Sequence, residues 1–413
     1  MGMFLITLSQ FITTVFFIII SMFGLTYYGH GSGPMFTIAV LGVNISSVIY
    51  ILYYESRNHT YSIGSWLPYL LPAVFVFLYF LELCFIQSSK SETSISSFRD
   101  VVAVSSLGMW GGTFCYRYNK FGEFAKHLEL IMLICTLALV MALPTMFVSS
   151  HGTSIGGAGD HQVVSYVSAV AFGCSIYRFF INPNNGYRFF KKNFYHYLSL
   201  LFILIQILIC IVGGGRGGFV TLVVIALFSM LALKMNIKRF AILGILGISG
   251  TLILGNMVGN FDFGSSFMRI VDMFGQSNVA SVDEERDRIA QTAWKYIVES
   301  PILGYGFFHQ FDICKKIVNV PYWHNYFLEL LMQGGLIVFS IGVSVYYKVI
   351  INTKRIIQKD SIHFVLITLV CYPFILLLFS GSYMLTPCFW FVVTYVLGYY
   401  RNYYKKINIK MKA

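Results

Sequence analysis

Charge is what this 413-residue chain has least of. Asp, Glu, Lys and Arg make up 11% of it, less than half of the roughly 25% usual in a soluble domain. So little charge excludes a surface solvated by water. The 57% of hydrophobic residues and the mean hydropathy of +0.71 make lipid the solvent. Other absences narrow the reading further. The eight cysteines include no CxxC pair, so neither a disulfide framework nor a zinc site is implied. No DxD carboxylate motif, internal repeat or low-complexity segment occurs. The basic excess, with a pI of 9.2, is spread over short connections between apolar runs. That pattern is an insertion signal and argues against nucleic acid as a partner.

What is present is a succession of apolar runs. At roughly 20 residues per crossing, runs at 4–24, 35–54, 66–86, 100–116, 128–149, 162–181, 196–213, 217–234, 239–257, 324–347, 362–380 and 384–400 read as twelve spans. Backbone in lipid must pair internally, so they are helices, and the fold class is an all-α polytopic integral membrane protein. The first run lacks a basic leader and is too long for a signal-peptide core, so it is expected to be retained. Residues 1–256 carry spans one to nine. Residues 257–322 form one large loop with an amphipathic helix, and 323–413 hold the last three spans and a basic tail. Most of the 29 Lys and Arg fall in the even-side connections and the tail. Positive-inside reasoning therefore puts both termini in the cytoplasm and the large loop outside.

Within that loop, Ser281-Val282-Asp283-Glu284 reads as a capping box, with Asp283, Glu284 and Glu285 suited to the positive end of a helix. Pro301 stops this helix, giving a segment over 282–299. At 100° per residue, Ile289, Ala290, Ala293, Trp294, Ile297 and Val298 share an apolar face, and Arg286 falls on it. Arg288 points nearly opposite, with Gln291, Thr292 and Lys295, on the solvated side. A cation on the packed face needs an anion, because a buried unpaired charge costs several kcal/mol. That anion is either a neighbouring acid or a ligand. Gly304-Tyr305-Gly306 then reads as a flexible turn.

Three more features lie at the same surface. His324, in Tyr322-Trp323-His324-Asn325, opens the next span, where a neutral imidazole can serve as a general base or simply join the aromatic belt. Arg216, in Gly213-Gly214-Gly215-Arg216-Gly217-Gly218, either clamps a phosphate bidentately or snorkels to headgroups. Its flanking glycines permit a tight turn and let a headgroup approach the backbone. Glu82 and Glu329 lie inside apolar runs, where an acid is a site candidate by default or a partner for Arg216 or Arg286.

Taken together, these residues resemble the O-antigen polymerase and O-antigen ligase superfamily over about 210–345. The matching pieces are Arg216-Gly217 at the outer end of a middle helix, then a loop helix opening with Arg286 and ending in Pro301 and Gly304-Tyr-Gly306. His324-Asn325 follows, with an apolar helix containing Gly334-Gly335. The Trp that the family often has four residues after the loop Arg is Ala290 here, with Trp294 one turn later.

The resemblance implies a GT-C-like architecture in a bacterial inner membrane. It implies glycosyl transfer from a glycan on undecaprenyl diphosphate, without cofactor or metal and with inversion. Arg216 and Arg286 would hold the diphosphate and stabilise charge on the leaving oxygen. His324 would deprotonate the acceptor hydroxyl, and nearby cations would favour its neutral form. Arg288, Asn325 and Gly217 would line the substrate. Membrane lipid and a chain-length regulator are the implied partners. The expected activity is polymerisation of lipid-linked repeat units for O-antigen or capsule in lipopolysaccharide or polysaccharide biosynthesis. Alternatives are a ligase transferring finished glycan to a lipid A core and, in another class, a lipid-linked oligosaccharide flippase. Against transport stand the lack of inverted repeats and of midplane helix breaks.

Overall fold

A computed structural model describes residues 1–22, 33–58, 67–86, 91–148, 161–181, 192–233, 280–318 and 322–412. The predicted span at 239–257 and residues 257–279 of the loop lie outside these. The regular elements among the described residues are all helices: α1 Gly2–Ser9, α2 Ile12–Met22, α3 Gly33–Arg57, α4 Leu71–Phe85, α5 Glu92–Arg117, α6 Phe121–Val148, α7 His161–Phe180, α8 Lys192–Val212 and α9 Arg216–Leu233. The loop contributes α10 Ala280–Glu299 and α11 His309–Val318. After it come α12 Tyr326–Ile357, α13 Leu366–Phe379 and α14 Pro387–Lys412. Short 3-10 turns precede α4, α13 and α14.

Among the described residues, six helical stretches are long and apolar enough to cross a membrane, and a seventh if α1 and α2 count as one span. Helix is present at every predicted span inside the described residues, but twelve crossings are not what the structure counts. Two differences have physical causes. The first predicted span is not straight: α1 and α2 meet at 87°. Polar Thr7, Ser9 and Gln10 are buried there, and the Gln10 amide donates to the Ile6 carbonyl at 3.1 Å.

The fourth predicted span, α5, is too polar to pass a hydropathy test because it is wrapped by protein instead of lipid. Its Ser105, Ser106, Gly108, Gly111, Gly112 and Thr113 are all buried. Gly108 and Gly112 lie directly against the backbone of α14 at Pro387 and Phe391, the small-residue contact that packs helices closely in lipid.

The bundle has two ends. At one, Arg117 of α5 pairs with Glu55 of α3 at 3.1 Å, and Tyr69 donates to the same carboxylate at 2.5 Å. Arg178, at the end of α7, grips Glu129 of α6 with two bonds of 2.6 and 2.7 Å. Both arginines lie at the ends of their helices, on the basic side of the sequence pattern, yet both are built into the protein. At the other end, which carries α10 and α11, the tips of α4 and α5 meet the loop through Glu82 and Ser94. That end is the loop face.

Candidate functional site on the loop face

The first piece is the start of α9. Gly214 takes φ +65°, a left-handed turn that glycine adopts freely. The Gly215 amide donates to the Ser165 hydroxyl at 2.9 Å, and Arg216 then opens the helix, half-buried. The glycines after it serve packing and not a headgroup. A side chain at Gly217 would strike the Tyr166 hydroxyl, and one at Gly218 the Ser165 backbone. Gly217, expected in the substrate lining, is thus the seam that brings α9 against α7. Its other neighbour is Phe379, the last residue of α13.

The connection after α13 links that seam to the start of α12. Ser382 donates to the Glu329 carboxylate, and the Tyr383 hydroxyl donates to the Gln333 side-chain oxygen. The Gln333 amide donates to Glu329 at 3.3 Å, and the Tyr383 ring meets Tyr326 edge-on at 5.4 Å. Arg216 and the first turns of α12 therefore sit at the same end of the bundle, either side of residues 379–383. Ser382 and Tyr383 were missed from sequence. The available signal was Glu329 and Gln333 one turn apart in an apolar run.

Just ahead of α12, Asn325 is the helix cap. Its side-chain oxygen accepts from the Phe327 and Leu328 amides at 2.9 and 3.3 Å, which satisfies two of the amides a helix start leaves over. His324 precedes the cap and does not lie in the helix. It has φ +54°, a conformation costing about 1–3 kcal/mol in a non-glycine residue and concentrated at functional sites. The Tyr322 ring lies edge-on to its imidazole at 4.6 Å.

α10 packs on this same region. Ile289, Ala293 and Ile297 are buried with Trp323, Leu331 and Met332. The buried stripe is narrower than the predicted face, since Trp294 and Val298 are exposed. Arg288 is exposed, on the predicted solvated side. Arg286 lies in the helical backbone, and its side chain is outside the described residues. The helix already starts at Ala280, so Ser281 falls in its first turn and is not the cap.

Beyond α10, Gly304-Tyr305-Gly306 is a dock and not a flexible turn. α12 breaks at Gly334 and Gly335, where φ is −147° and +55°, and this releases carbonyls from the helical ladder. The Tyr305 amide donates to Met332 at 2.7 Å, the Gly306 amide to Gln333 at 2.9 Å, and the Leu336 amide to Pro301 at 2.8 Å. A side chain at Gly304 would come within 2.7 Å of the Gln333–Gly335 backbone.

Glu82 completes the dock. Its carboxylate accepts from the Phe307 amide, from Phe308 at 3.0 Å and from His309 at 3.2 Å, capping α11 from another helix. Both of these acids, Glu82 and Glu329, thus hold loop-face structure. Burial pushes His309 below its ordinary range, against an opposing pull from Asp312. Burial also raises the Cys314 thiol to about 12, leaving it protonated.

A multi-pass helical membrane protein with a cationic helix start, a strained histidine and a docked amphipathic helix at one face is the class these features define. Residues 201–343 match the O-antigen ligase family model, Wzy_C. That model is one shared by O-antigen polymerases and ligases, and Arg216, Arg286 and His324 all fall inside the matched residues. No curated protein matches the chain.

Proposed function

We propose that the protein polymerises undecaprenyl-diphosphate-linked oligosaccharide repeat units at the outer face of the bacterial inner membrane. The acceptor sugar hydroxyl attacks the anomeric carbon of the donor from the side opposite the diphosphate. The carbon–oxygen bond to phosphate breaks, the glycan is transferred with inversion, and the lipid diphosphate leaves with the bonding pair. His324 takes the hydroxyl proton, while Arg216 and Arg286 neutralise the departing diphosphate. Asn325 fixes the strained backbone that presents the imidazole, Gly217 sets the position of Arg216, and Arg288 meets glycan from the water side. The transfer needs no metal.

The observation that supports this reading is that all three residues fall within the matched stretch 201–343, with Arg216 and the start of α12 at one end of the bundle. The family model's description favours a second reading, a ligase with a lipid A core as acceptor.

The deciding experiment incubates purified protein in lipid with lipid-linked repeat units, with or without lipid A core. A ladder without core supports polymerase, and glycan appearing only on core makes it a ligase. Transfer of units across sealed vesicles without either product makes it a transporter. Full activity in a strong metal chelator is expected, and loss of activity would remove the metal-independent mechanism.

A further inference from the structure

The loop contains an apolar surface that glycosyl transfer does not use. Trp294 is 53% exposed, Val298 74%, Ile302 59% and Leu303 72%. Their order is informative. Along α10, Asp287, Gln291, Trp294 and Val298 share an arc of about 60° at 100° per residue. That one arc is polar in the first half of the helix and apolar in the second. Two large apolar residues just past its end continue it. A helix lying flat on water would not change character along a single face, whereas one that dips into lipid at its C-terminal end would.

The dock fixes how deep that end goes. Pro301 is bonded to the Leu336 amide, beside the break at Gly335. Lys348, exposed, is the first basic residue along α12, and a cation there belongs at the far headgroups. Gly335 is 13 residues before it, or about 20 Å along a helix. A hydrocarbon core is about 30 Å thick, so the Pro301–Leu303 turn lies roughly 10 Å inside it on the loop side. The neighbouring α12 residues Leu336, Ile337 and Ile341 are also exposed, at 53%, 50% and 59%, as a lipid-facing row requires. The apolar loop surface is continuous with that row. Backbone entering at this depth needs its polar groups paired, and Pro301, Tyr305 and Gly306 each have a bond to α12.

We infer that residues 294–303 are a re-entrant membrane element whose partner is the acyl-chain region of the loop-side leaflet. Trp294 sits at the interface, where indole is favoured. The element seats α10 on the bilayer surface independently of which glycan is transferred.

The test uses the full-length protein in nanodiscs. Trp294 emission is obtained as the difference between wild type and Trp294→Phe, in phosphatidylcholine with or without bromine on the acyl chains. Bromolipid is expected to quench that difference by about half or more, with aqueous iodide having little effect. Quenching by iodide and not by bromolipid overturns the proposal. In parallel, Val298→Cys and Ile302→Cys are expected to react with a membrane-impermeant maleimide about tenfold more slowly than Lys295→Cys, after subtracting wild-type labelling. Equal rates would overturn it. So would slow labelling without bromolipid quenching, which would mean that protein and not lipid covers the surface.

Discussion

Both ends of this bundle bury acids, and the two ends employ them differently. Away from the loop, Glu129 and Glu55 grip Arg178 and Arg117, so charge meets charge between neighbouring helices. On the loop face, Glu82 accepts from three consecutive backbone amides and Glu329 from a serine and a glutamine. The first arrangement staples helices together. The second organises irregular backbone: the cap of α11, the break in α12 and the turn after α13. Irregular backbone at membrane depth is tolerated only where protein or a water-filled site satisfies it, and the end proposed to carry the chemistry is where such devices gather.

The contrast predicts different failures at the two ends. The largest effect on stability belongs to the staple. Arg178→Ala leaves the Glu129 charge buried without its guanidinium and is expected to cost about 3–5 kcal/mol, read as a lower melting temperature in detergent. A drop no larger than that of a lipid-facing substitution would break the comparison.

Gly335→Val is next. It meets the Ile302 carbonyl at a positive φ, for an expected cost of about 1–3 kcal/mol. Opening should be local, so proteolysis within 300–308 should rise well before the bundle melts. Glu82→Gln keeps the shape but weakens the charge-assisted cap by about 1–2 kcal/mol, seen as faster amide exchange at 307–309 alone.

The smallest effect is on pH dependence. His309 is held neutral by burial, so unfolding takes up a proton as pH falls below 6.5 and loop-face stability declines there. His309→Asn should flatten that acid slope without changing the plateau at neutral pH. An unchanged slope would show that another group sets it.

Much of this layout is legible in residue order. Apolar length alone located the helices, because lipid leaves the backbone no other choice. The Arg-Gly pair, the loop helix ending at Pro301 and the His-Asn start of α12 were readable as a set. Depth and docking were not. Gly334-Gly335 looks like ordinary small residues in an apolar helix until Tyr305 and Gly306 are seen bonding to the carbonyls it frees. Gly217 looks like room for a ligand until Tyr166 fills that space. Trp294 and Val298 fit a helical period equally well whether they face protein or lipid, since periodicity reports angle and not what lies opposite. The low hydropathy of α5 made it the least visible helix because protein surrounds it.

The central claim is that glycosyl transfer runs on the loop face with His324 as its base. It is tested most directly by His324→Ala, purified in lipid beside wild type and given lipid-linked repeat units. The prediction is a fall of about 10²–10⁴ in the rate of chain extension, with the melting temperature unchanged within about a degree, as for loss of a single side chain away from the core. Chain extension at the wild-type rate by the equally folded variant would contradict the claim.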